Sequence, residues 1–130
     1  PCPIASLESV TGRRAFRPFF DAYASDVAII DVIWNGFLES IKIASMAEAY
    51  EVNCAPHNYY GHLCSAVSAH FCAVIPNFRV MELDIDSAPW RDEFYTTVPT
   101  IENGEFHLPT GPGWGIDVNE KAVRARPPRN

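Results

Sequence analysis

Positive charge is scarce in this 130-residue sequence. It has 16 acidic residues against 10 basic ones, a net charge of -6 and a pI near 5.1. That balance argues against a nucleic-acid or anionic-membrane surface. It leaves an anionic substrate open, because a bound cation reverses the local sign. No apolar run approaches the length of a membrane span, and no signal-peptide pattern is present. No Gly-rich phosphate loop follows any strand-like run, which argues against a nucleotide-binding open sheet. Cysteine is sparse. Cys2, Cys54, Cys64 and Cys72 are spread along the chain, three of them in small or apolar surroundings. They read as free thiols in a reducing cytoplasm. With 48% hydrophobic and 20% charged residues, the chain suits one globular domain with a core. It begins at Pro1 and enters an apolar stretch at once, so Pro1 is not expected to be the natural start.

The stretch "NCAPHNYYGHLC" gathers Cys54, His57, His62 and Cys64 into twelve positions. Zinc modules use separated pairs such as Cys-x2-4-Cys and His-x3-5-His. Here the second pair is His-x-Cys. On a helix led by Gly61, His62 and Cys64 would stand about 200° apart. On a strand over Val52 to Ala55, alternation would part Cys54 from His57. Zinc is the weaker reading, and a catalytic histidine is the alternative.

A longer pattern favours that alternative. The apolar runs "PIASLE", "VAIID", "VNCAPH" and "FRVME" end at Glu8, Asp31, His57 and Glu82, spaced 23, 26 and 25 residues apart. Between them lie helical patterns: Phe16, Phe19, Phe20 and Tyr23, then Ile43, Met46, Ala47 and Tyr50, then Leu63, Ala66, Val67 and His70. Pro18 belongs in a first turn, which predicts a helix starting near Arg17. Gly36 and Gly61 fall where a strand-to-helix loop needs backbone freedom. Alternating strands and helices of this length match (β/α) units, whose catalytic residues project from the carboxyl ends of the strands. All four ionisable residues stand at that end.

After Glu82 the pattern stops. Asn103-Gly104 between β-prone flanks predicts a hairpin. "PTGPGWG" is a Gly/Pro-rich loop and "NEKAVRARPP" a polar tail. A closed barrel needs eight strands and about 250 residues, and four strands would leave open edges. The expected fold is therefore α/β: the C-terminal half of a TIM-type (β/α) barrel over residues 1–86, with a C-terminal extension over residues 87–130.

"DVIWNGFLESIKIASMAEAYEVNCAPHN", "IPNFRVMELD" and "LPTGPGWGIDVNE" resemble, in that order, the mandelate racemase branch of the enolase superfamily. The likeness runs from Pro3 to Pro128 and leans towards acid-sugar dehydratases of the galactonate dehydratase kind. The resemblance implies that residues 1–86 are barrel strands five to eight and that the extension returns to a capping domain. It implies a Mg2+ cofactor with Glu8 as one of three carboxylate ligands, and an Asp31–His57 dyad. Glu82 would sit beside the substrate carboxylate and bind it. The other two ligands, the opposing base and most of the cap are expected before Pro1. Asp84 and Asp86 lie too far along the chain to replace the missing ligands.

The implied reaction explains these residue types. Removing the proton beside a carboxylate makes an enediolate, which a hard cation with oxygen ligands stabilises. A histidine exchanges protons near neutral pH, and a carboxylate behind it fixes its tautomer. The expected activity is a lyase that dehydrates a small-molecule acid sugar, in a cytoplasmic homo-oligomer. A racemase or epimerase using the same dyad is the near rival. An incomplete fragment that only packs is the distant one, and the fragment alone is expected to be inactive. His62, His70 and His107 carry no assigned role. Trp34, Asn35, Asn58 and Tyr60 stand at loop tips beside the dyad. Trp90 and Trp114 read as core or interface anchors.

Overall fold

The computed structural model describes residues 2–84 and 89–127. Asp86 and the 86/87 boundary lie outside them. The first part of the chain alternates strand and helix: β1 (Ala5–Ser6), α1 (Arg13–Asp21), β2 (Val27–Asp31), a short α2 (Val32–Asn35), α3 (Phe37–Ala49), β3 (Asn53–His57) and α4 (His62–Val74). The strands form a parallel sheet in the order β1-β2-β3. The 3-10 turn Arg91–Phe94, the hairpin β4 (Ile101–Glu102) and β5 (Glu105–Phe106), and α5 (Glu120–Ala125) follow.

One face of the sheet carries the core. Ala28, Ile30 and Cys54 pack under Phe16 and Phe20 of α1, Ile43, Ala44 and Ala47 of α3, and Val67 and Phe71 of α4. These residues are nearly all fully buried. Burial of a large apolar side chain contributes roughly 1.5–3 kcal/mol, so three helices on one face fix the sheet's orientation. On the other face Val27 and Ile29 are only half-buried. With Ala55 and Met81 they line a hollow of about 330 Å³. The helical patterns therefore predicted the right elements, though Phe19 and Tyr23 turn outwards.

Four expectations are corrected. α1 starts at Arg13, and Pro18 lies inside it. The turn at Gly12, with φ of 78°, starts the helix earlier than the proline suggested. Gly61 has an ordinary φ of −81°. Space rather than backbone freedom favours glycine there, because a Cβ would lie 2.1 Å from the Tyr95 hydroxyl and displace that side chain. "PIASLE" is strand only over Ala5–Ser6, so Glu8 lies past its end, and in the polar tail Asn119 caps α5 by accepting the Ala122 N–H.

The fourth correction concerns "FRVME", which is no strand: only a parallel bridge between Cys54 and Phe78 forms. The cause lies in β3. The Cys54 N–H donates to Asn77 O and its carbonyl accepts from Arg79 N. Two residues on, the donor facing the same way would be Pro56, which has no N–H. The next donor, Asn58 N–H, goes to the Glu82 carboxylate at 2.8 Å. A side chain thus takes up the ladder where proline interrupts it.

Candidate active site

Asp31 and His57 are direct neighbours in the β2–β3 register and end their strands together. Side-by-side placement on parallel strands brings His57 Nδ1 to 2.9 Å from Asp31 Oδ2. The Asp31 side chain is 1% exposed and that of His57 28%. Asp31 also caps α2, its Oδ1 accepting the Trp34 N–H at 2.7 Å. The Tyr60 hydroxyl donates to Asp31 Oδ2 at 2.5 Å. Burial raises the Asp31 carboxyl's proton affinity. The bonds from His57, Tyr60 and Trp34 outweigh it, so the pKa lies below its ordinary value. An ionised carboxylate behind an imidazole orients the ring and stabilises its protonated form.

The other imidazole nitrogen, Nε2, lies 3.9 Å from Glu82 Oε2. Glu82 is held by Asn58, which donates its N–H to the carboxylate and its side-chain amide to the Glu82 carbonyl at 2.9 Å. Asn58 is fully buried, and its amide also donates to Ser65 at 3.1 Å. Three predicted residues therefore meet: Asp31, His57 and Glu82. Among the described residues no hydrogen bond or ion pair joins Glu8 to them, and it lies in a turn beyond the two-residue β1.

The chain as a whole is similar to known proteins. The profile of the enolase C-terminal domain-like family matches residues 1–122. The chain belongs to that family. A D-xylonate dehydratase from Haloferax volcanii is 30% identical over 95% of this chain and 30% of its own length. A D-gluconate/D-galactonate dehydratase from Picrophilus torridus is 30% identical over 93% of this chain and 31% of its own. A solved structure from Burkholderia xenovorans LB400 is 54% identical over 98% of this chain and 32% of that one, with a TM-score of 0.95. That protein is named as a candidate L-alanine-DL-glutamate epimerase and was solved with magnesium and fumarate. Solved mandelate racemase-subgroup enolases from Agrobacterium tumefaciens match as well, one with a TM-score of 0.87 at 33% identity over 96% of this chain and 34% of its own. The chain spans about a third of the length of the relatives it matches.

Magnesium needs several oxygen ligands in near-octahedral array. Among the described residues no three His, Cys, Asp or Glu side chains are grouped to hold a metal ion. These residues alone therefore do not fit a complete Mg2+ site. The zinc reading fails too. Cys54 and His57 lie on opposite sides of β3, and burial pushes the Cys54 thiol up to about 12. His62 instead meets Asp92 at 2.6 Å. Trp114 lies against Phe37 and His70, as an anchor of the extension would. Asn58, Tyr60 and Trp34 do more than line a loop tip. Their signal was closeness in sequence to His57 and Asp31, which shows proximity but not hydrogen-bond direction.

Proposed function

We propose that this chain carries one side of the active site of a Mg2+-dependent lyase that dehydrates an acid sugar. The observation that carries the reading is the Asp31–His57 pair, with Nδ1 tied to a buried carboxylate and Nε2 left beside Glu82. A base outside this chain takes the proton next to the substrate carboxylate. His57, as imidazolium, gives the Nε2 proton to the departing β-hydroxyl, which leaves as water. Asp31 stabilises the imidazolium before transfer and keeps Nε2 aimed at the substrate. Glu82 binds at the substrate carboxylate, held in place by Asn58. Two carboxylates there repel unless one is protonated or a cation offsets them. Glu8 gives one ligand to Mg2+, and the remaining donors come from outside this chain.

In this reading residues 1–86 belong to the C-terminal half of a TIM-type barrel, with β1, β2 and β3 among its strands, and residues 87–130 are the extension towards a cap. The helices on one sheet face and the hollow on the other support it. The whole protein acts on a small molecule as a cytoplasmic homo-oligomer and engages neither nucleic acid nor membrane. The acidic balance supports the last point. Among the described residues no helix is long and apolar enough to cross a membrane.

The 54% identity to the candidate epimerase favours a second reading, in which His57 exchanges the α-proton itself. Incubating the protein that carries this chain with acid sugars and Mg2+ in deuterated water separates the two. Dehydration gives a product lighter by one water. Epimerisation gives deuterium uptake with no water lost. If His57→Asn retains either activity, both readings are wrong.

A further inference from the structure

Tyr60 takes no part in the proton transfer itself, yet at 2.5 Å it makes the shortest hydrogen bond of the site. It donates to Asp31 Oδ2, the same oxygen that receives His57 Nδ1. Its ring stands edge-on to the imidazole, with centroids 5.8 Å apart. The Trp34 backbone N–H occupies the other oxygen, Asp31 Oδ1. Burial, and then the bond to Asp31, raise the Tyr60 hydroxyl to about 12, so it remains a donor at neutral pH. The groups facing His57 are Asp31 from β2, Tyr60 from the loop behind it and Glu82 from the segment after Phe78. Cys64 on α4 is near enough for burial and the Asp31 charge to raise its thiol, which therefore stays neutral beside the pair.

We propose that Tyr60 is a positioning residue that sets the proton affinity of His57 by sharing Asp31 Oδ2. A carboxylate oxygen has finite charge to distribute. What the phenol takes is withdrawn from the imidazolium, which becomes a stronger acid than an Asp–His pair alone would make it. A stronger acid is what delivery of a proton to a leaving hydroxyl requires. The inference rests on His57 as the proton-transfer group of the preceding section.

The test is Tyr60→Phe in the protein that carries this chain, with the His57 ring titrated by nitrogen-resolved NMR. Loss of one hydrogen bond to a charged group corresponds to a rise of about one pH unit in the His57 midpoint. The limb of the kcat/KM profile that reports His57 should move the same way. An unmoved or lowered midpoint in folded Tyr60→Phe overturns the proposal. The midpoint is read without turnover, so an active His57→Asn would sink the function reading while leaving the Tyr60 measurement intact.

Discussion

The chain before Val80 and the chain after Pro89 are built by different means. The buried apolar residues run from Leu7 to Ile75, and beyond them among the described residues only Ile116 is a buried apolar side chain. The extension is tied down by polar and aromatic contacts: His62 to Asp92, Arg126 to Glu93 at 2.8 Å, Arg126 over Trp90, and Trp114 against Phe37 and His70. Apolar burial is strong and hard to displace, whereas exposed pairs each contribute little. The sheet should therefore hold the dyad rigidly, and the extension should be the softer part.

The largest effect should come from the strand ends. His57→Asn should lower turnover by about three orders of magnitude or more, since it removes the proton donor. Asp92→Asn, which touches only the extension's tie to His62, should leave turnover within about tenfold. Steady-state kinetics would reverse the comparison if Asp92→Asn proved the more damaging. Next in size is packing. Phe20→Ala should cost about 3–5 kcal/mol in denaturant unfolding, against about 0.5 kcal/mol or less for Val123→Ala on exposed α5. Equal losses would mean the two parts share one core after all.

A smaller effect concerns acid. The Asp31 pKa lies below its unfolded value, so its contribution to stability is in full above the ordinary carboxylate range. It disappears as pH falls through the lower folded value. Asp31→Asn should flatten that part of a pH–stability curve, whereas Glu120→Gln on α5 should not. The last effect changes no stability. Burial raises the Cys54 and Cys72 thiols to about 12, and Cys2 is exposed. Iodoacetamide at pH 8 should label Cys2 first and leave Cys54 and Cys72 unlabelled until the protein unfolds.

The same contrast explains what could be read in advance. Strand and helix before Ile75 were legible because burial imposes a period on the sequence, and "VAIID" and "VNCAPH" announced both strands and their ionisable ends. The hairpin was legible because Asn103 and Gly104, with φ of 52° and 81°, take the left-handed backbone those residues favour. The strand over "FRVME" was misread because its apolar character is real while its partner donor is missing at Pro56. Tyr60 was seen as a neighbour of His57 but not as a partner of Asp31. That bond spans 29 residues and depends on register, which composition does not encode. α5 escaped notice because nothing in it is buried.

The interruption at Pro56 has a consequence for how such a site changes over generations. A backbone ladder would lock the segment bearing Glu82 to β3, and no single side-chain replacement could shift it. Here its position beyond Arg79 is set by the bonds Asn58 makes to the Glu82 carboxylate and carbonyl. Replacing the Asn58 side chain would remove its bond to the Glu82 carbonyl and free that backbone to shift, while the backbone N–H still reaches the carboxylate and Asp31 and His57 stay in register. Descent with modification therefore has a lever on what faces the proton donor, separate from the donor itself.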